Sequence, residues 1–203
     1  ACLVGSEMCI RDRYLTMQNK KVITDGLTGI NNRRELDAYL ERRLKQRTEW
    51  GMLLIDVDDF KKINDTIGHK IGDEALWHVA DILRTEFSGD GCFVARYGGD
   101  EFVICGEWKN RAELEQCIAS IQKRVDSFNM EKERNYKLSL SVGAALWSEC
   151  ADSEASIVEL ADRSMYKQKQ IHKERRNAGS EQYSIYSGCL LYTSPSPRDM
   201  RRS

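Results

Sequence analysis

The sequence predicts an α+β sandwich: a central, mostly antiparallel sheet flanked by helices. Three observations point there. Short apolar runs of strand length alternate with longer amphipathic stretches of helical period. Two of the runs are separated only by Gly98, Gly99 and Asp100, a strong short-range hairpin signal. The two prolines both lie near the C-terminus, and no segment repeats at a fixed period, so the middle of the chain reads as one unit. At 203 residues and 41% hydrophobic content the chain supports one substantial core and is short for two.

The elements follow in order. Asp25 to Arg34 (DGLTGINNRR) is turn-rich, and Leu36, Leu40 and Leu44 then recur at helical spacing. Met52 to Val57 (MLLIDV) suits a buried strand and runs into Asp56, Asp58 and Asp59. Gly72 and Asp73 open a helix that shows Leu76, Val79, Ala80 and Leu83 on one face and ends near Phe87. Phe93 to Tyr97 and Glu101 to Cys105 form the hairpin, with Asp100 and Glu101 at its tip. A helix over 112–128, an alternating strand through Leu138, Leu140, Val142 and Ala144, and a helix over 156–173 complete the pattern.

Composition narrows the function classes. Lysine plus arginine number 31 against 32 acidic residues, so no global field draws the chain to a nucleic acid polymer or an anionic membrane. Any phosphate ligand must be held locally. No apolar run approaches the roughly 18 residues that span a bilayer, and no leader pattern opens the chain, which sets the expectation of a cytoplasmic fragment. The seven cysteines include no CxxC pair, so reduced, mostly buried thiols are expected. The four tryptophans lack interleaved basic residues and read as packing groups.

Both ends look foreign. Cys189 to Asp199 (CLLYTSPSPRD) and Leu3 to Asp12 (LVGSEMCIRD) show no period, and opposite strands of one DNA segment can encode them. Residues 1–13 and 188–203 are therefore expected to be non-native, adapter-derived sequence flanking a domain at 14–187, with a missing upstream sensory domain.

The chemistry concentrates in three blocks. They are Asp56 to Asp65 (DVDDFKKIND), Gly68 to Asp73 (GHKIGD) and Arg96 to Phe102 (RYGGDEF). A calcium EF-hand loop begun at Asp56 would need glycine sixth and glutamate twelfth, where Lys61 and Ile67 stand. A lone acidic cluster is commonly a solvated loop, but the second acidic pair at the hairpin tip argues for a hard-cation site, because magnesium prefers oxygen ligands and phosphoryl-transfer sites supply one or two carboxylates. Gly98 and Gly99 permit positive φ there and let a backbone approach a phosphate or ribose. His69, in a glycine-flanked turn, reads as structural.

Taken together with Ser141 to Ala144 (SVGA) and Ala161 to Tyr166 (ADRSMY), these blocks resemble the GGDEF family of diguanylate cyclases over most of 24–177. The resemblance implies a nucleotide-cyclase or polymerase-palm-like sheet with a GGDEF hairpin, and condensation of two GTP into cyclic di-GMP with loss of two pyrophosphates. It also implies a homodimer in which each ribose 3′-hydroxyl faces the α-phosphate of the opposite GTP. Two Mg2+ per site are implied, with Mn2+ able to substitute. Asp56, Asp100 and Glu101 would hold metal by side chain and Val57 by its carbonyl, with Asp100 or Glu101 as catalytic proton acceptor. Backbone amides between Asp58 and Lys61, at Asp59 and Phe60, together with Lys61 and Lys169, would hold phosphates. Asn64 and Asp73 would read the guanine edge, Asp73 by accepting from its N1 and N2 donors; the simpler role for Asp73 is a helix cap.

Two departures from the family pattern stand out. The product-inhibition RxxD is replaced at its ends by Gly89 and Cys92, so no inhibition through that site is expected. The family's Gly-Arg-Asn after Lys169 is absent, leaving Arg176 or Lys173 as the further phosphate-contacting residue. The alternatives are a catalytically silent nucleotide receptor, disfavoured by the intact Gly98 to Phe102, and a cyclase making a mixed product, disfavoured by Asp73.

Overall fold

A computed structural model describes residues 23–46, 48–89, 91–131, 135–150 and 154–177, with side chains over 157–174 in the last stretch. The segments 1–13 and 188–203 lie outside the described residues, as do the outer parts of 14–187 and the side chain of Arg176.

Helix α1 (Arg33–Leu44) starts at Asn32, whose side chain accepts from the Glu35 amide at 3.0 Å, an N-cap that satisfies one orphan donor. Strand β1 (Gly51–Val57) is followed by α2 (Phe60–Ile67) and α3 (His69–Glu86). The hairpin β2 (Phe93–Gly98) and β3 (Glu101–Gly106) precedes α4 (Arg111–Met130), β4 (Leu140–Leu146) and α5 (Glu154–Asn177). The sheet order is β2-β3-β1-β4, every pairing antiparallel, so β1 lies between β3 and β4 and both its edges are bonded. Strand alternation sends Leu53, Ile55 and Val57 into a core shared with Leu76, Val79 and Leu83 of α3 and Ile121 and Val125 of α4. Met52 and Leu54 face the other way, with Leu36 and Leu40 of α1 and Ala161 and Met165 of α5. Helices thus cover both faces, which is the expected sandwich.

The sequence expectations need four corrections. The block after β1 folds into α2, a helix the apolar pattern did not show because none of its residues is fully buried. The next helix begins at His69, not at Gly72 and Asp73, so Asp73 lies inside α3 and is no cap. Trp77 is 44% exposed, unlike Trp50 and Trp108, because it falls on the outer side of α3. Of the four described cysteines, all free thiols, only Cys105 is buried.

Two local devices hold the site-bearing segments. At Gly143 an added Cβ would stand 2.0 Å from the Ala161 carbonyl oxygen and 2.4 Å from the Met165 amide nitrogen, so only glycine lets α5 lie this close to β4. The Gln168 side chain then accepts from the Val142 amide, occupying a donor on the β4 edge. On the hairpin side, Tyr97 is an extra residue between the Arg96–Phe102 and Gly98–Glu101 pairs, a bulge that twists the ribbon at its tip. Arg96 turns back to donate to the Gly99 carbonyl at 3.0 and 2.6 Å and to Asp25 at 3.1 and 3.3 Å. Burial alone would push the Asp25 carboxyl up, but the Thr28 hydroxyl and amide and the Arg96 guanidinium outweigh it and hold it below its ordinary value.

Gly143→Ala should cost about 1–3 kcal/mol or more, because backbone atoms rather than flexible side chains meet the new methyl, and the midpoint of urea unfolding reads this directly. The Asp25 contribution has a definite sign. With its folded value depressed, the stability it supplies is present above the ordinary value of 3.8 and is lost as pH falls below it. The stability gap between the wild type and Asp25→Asn should therefore be constant near neutral pH and shrink in acid, as measured by unfolding at several pH values.

Candidate functional site

Asp56 is the next-to-last residue of β1, and in the register it faces Glu101 on one side and Ser141 on the other. The Val57 amide donates to the Asp100 carbonyl at 3.2 Å, which brings the hairpin tip against the end of β1. Asp56, Val57, Asp100 and Glu101, far apart in sequence, thus share one end of the sheet, as expected. Asp56 lies on the α5 face, only 6% exposed, with one carboxylate oxygen 2.7 Å from Lys169 Nζ. Burial pushes its carboxyl up to about 6; Lys169 opposes that rise, and the charges of Asp100 and Asp58 add to it. Glu101 is raised as well, first by burial and then by Asp100. Gly99, with φ of +53°, makes the tight tip, whereas Gly98 remains in the strand ladder.

The turn after β1 has its own geometry. Asp59 takes a left-handed conformation at φ 55°, the one non-glycine residue among those described to do so. It stands at the N-cap of α2 and makes no side-chain capping bond there. Phe60 begins the helix with its ring packed partly against the core, and Lys61 is exposed beside it. Asn64, on the last turn of α2, lies against α3: a Cβ on Gly72 would fall 1.9 Å from Asn64 Oδ1. That glycine, the residue before Asp73, lets α2 and α3 meet at Asn64, the other residue named for the guanine edge. Lys173 is exposed on α5, and His69 is exposed at the start of α3.

Several residues near the site had gone unassigned from the sequence. Asp58 is buried, and its carboxylate accepts from Ser139 and Ser141 hydroxyls, each at 2.6 Å, and from His172 Nδ1 at 2.7 Å. Burial would raise it, but these donors together hold it below the usual carboxylate range. The Arg33 guanidinium stacks over the Tyr97 ring at 4.5 Å, beside the hairpin tip. The spacing of Lys169 and His172, three apart on one helix, was the available signal for the histidine.

A cavity lined by Glu86, Phe87, Cys92, Trp108, Glu113 and Cys117 lies towards the other end of the sheet, away from these groups. Its acidic lining suits no phosphate, and the carboxylates of Asp56 and Asp100 sit instead at an open strand end. Among the described residues no three histidine, cysteine or carboxylate groups are already gathered as a metal cage. None of the described helices is long and apolar enough to cross a membrane.

Comparison with known proteins agrees with this architecture. The family model described as "Diguanylate cyclase, GGDEF domain" matches residues 22–175. Diguanylate cyclase DosC of Escherichia coli (strain K12) is 33% identical over 172 residues, covering 82% of this chain and 37% of DosC. The response regulator PleD of Caulobacter vibrioides (strain NA1000 / CB15N) is 34% identical over 154 residues, covering 72% of this chain and 34% of PleD. The chain therefore spans little more than a third of these relatives. Among solved structures, the coiled coil and GGDEF domain of DgcB from Caulobacter crescentus, in complex with c-di-GMP, superposes with a TM-score of 0.72 at 26% identity, covering 82% of this chain and 91% of that one. With a match running through every element from the turn before α1 to α5, and with both acidic segments meeting at one end of the sheet, the chain belongs to the diguanylate cyclase GGDEF domain family.

Proposed function

We propose that this domain condenses two GTP into cyclic di-GMP, with release of two pyrophosphates, as a homodimer in which each copy carries one nucleotide. The observation that carries the reading is the meeting of Asp56, Asp100 and Glu101 at the sheet end, with Lys169 against Asp56 and the N-terminus of α2 following directly on β1. A Mg2+-dependent triphosphate fits these groups, and Mn2+ is a substitute of similar ligand preference.

The fit to a divalent cation follows from charge. Asp56 is buried and, with Lys169 as the cation at its carboxylate, is still pushed up to about 6, so the cluster is short of positive charge. Asp56, Asp100 and Glu101 with the Val57 carbonyl offer oxygen donors only, and substrate phosphates would complete a two-metal site. When bound, the metal supplies the charge that acidifies the attacking hydroxyl and neutralises the leaving pyrophosphate.

The chain's own groups do the rest. Asn64 and Asp73 orient the guanine at the α2–α3 corner, while the amides at Asp59 and Phe60, with Lys61 and Lys169, fix the β and γ phosphates. Either Arg176 or Lys173 is the further residue that contacts phosphate. Glu101, raised by burial and by Asp100, or Asp100 itself is the proton acceptor for the 3′-hydroxyl. Each domain presents one half of the reacting pair, so the second ribose must come from a facing copy. The residue 14–187 unit works in the cytoplasm, and an upstream sensory domain would set the pairing. Residues 1–13 and 188–203 take no part in it.

Product formation from GTP and Mg2+, followed chromatographically, should rise faster than linearly with protein concentration and fall by about a thousandfold or more in Asp100→Ala. Measurable GTP binding with no product, even when a fused coiled coil forces pairing, would overturn the cyclase reading in favour of a receptor. For the base, Asp73→Ala should weaken GTP binding about ten- to a hundredfold, the worth of a charged hydrogen bond, with little change for ATP. Equal losses for the two nucleotides in calorimetry would remove Asp73 from the specificity site.

A further inference from the structure

Helix α5 is joined to the end of β1 at two points. Lys169 Nζ lies 2.7 Å from Asp56, and His172 Nδ1 lies 2.7 Å from Asp58. Residues three apart on a helix share a face, so Lys169 and His172 both turn towards this segment, one meeting Asp56 on β1 and the other Asp58 just beyond the strand's end. Asp58 is satisfied on both oxygens, Ser141 on one and Ser139 with His172 on the other, and its side chain is only 2% exposed. An ionised carboxylate only accepts, so His172 carries its hydrogen on Nδ1 and donates it there.

What these contacts hold is decided by where the apolar anchoring of α5 stops. Ile157, Ala161 and Met165 are buried against the sheet, and Gln168 bonds the Val142 amide. Beyond Gln168 no described residue of α5 belongs to either core cluster; Lys169 meets Asp56, and His172 meets Asp58 and lies 3.2 Å from Ser141 Oγ on β4. Asp58 itself lies between Val57 and left-handed Asp59, the N-cap residue of α2.

We propose that His172 is a positioning residue for the triphosphate: by tying α5 to Asp58 it holds Lys169 in place and keeps the Asp58–Asp59 turn in the shape that presents the α2 amides. This rests on the nucleotide reading above. His172 does not touch the substrate. Its effect falls on the phosphate end, because the guanine contacts at Asn64 and Asp73 lie further along α2 and on α3, where Asn64 packs against Gly72.

The test uses the 203-residue chain and calorimetry with two probes in Mg2+. One is 3′-deoxy-GTP, which lacks the attacking hydroxyl and cannot react; the other is GMP, which lacks the β and γ phosphates. His172→Ala should weaken 3′-deoxy-GTP about tenfold or more and leave GMP unchanged. His172→Asn, whose amide nitrogen falls near the place of Nδ1, should restore the triphosphate affinity, and His172→Gln, whose nitrogen reaches too far, should not. If His172→Ala does not fold, the Asn and Gln pair carries the comparison. Equal weakening of both probes, or failure of Asn to restore, would show a general structural role and overturn the inference. So would unchanged triphosphate affinity in Ala and Gln while the wild type binds. A wild type that binds neither probe would overturn the nucleotide reading and this inference with it.

Discussion

The arrangement depends on a carboxylate buried at the end of the central strand. Asp56 lies on β1 with a strand hydrogen-bonded on either side, so its backbone is fixed by two ladders and its side chain has no freedom to swing into water. It is 6% exposed, faces α5, and is pushed up to about 6 by burial even with Lys169 at 2.7 Å. A buried charge is costly unless paired, and one ammonium group does not offset two further carboxylates nearby. The fold stores an unmet demand for positive charge where β1, the hairpin tip and α5 converge.

The neighbouring parts can be understood as fixing the approach to that point. The Tyr97 bulge and the Arg96 contacts to Gly99 and Asp25 set the hairpin tip against β1. Gly143 admits α5 to the distance at which Lys169 and His172 reach the two aspartates. Gly72 admits α2 to α3, with Asn64 packed against it. In each case a small residue or a bonded side chain, not a change of secondary structure, decides the relative position of two elements, which suits a site whose groups must be placed to a fraction of an ångström.

Much of this was legible in the residues. The apolar run Met52 to Val57, the glycine-divided hairpin and the periodic leucines of α1 and α3 correspond to elements that exist, because burial on one face imposes a period that survives without tertiary information. Helix α2 escaped for the complementary reason: it is short, lies at the surface and buries no residue fully, so it leaves no apolar period. Trp77 escaped too, since a large apolar side chain says nothing by itself about which side of its helix faces solvent.

The sequence by itself determined the family and the division of the acidic and glycine residues between a strand end and a hairpin tip. These are local patterns: a strand period, a turn dictated by glycine, and ordered motifs along one chain. Only the tertiary structure decided that Asp56 faces α5 and pairs with Lys169, that Asp58 is locked by Ser139, Ser141 and His172, and that Asp73 lies inside a helix and caps nothing. Those outcomes join residues as distant as 114 positions along the chain. They follow from strand register and helix packing, which a one-residue slip would reverse and which no local pattern encodes.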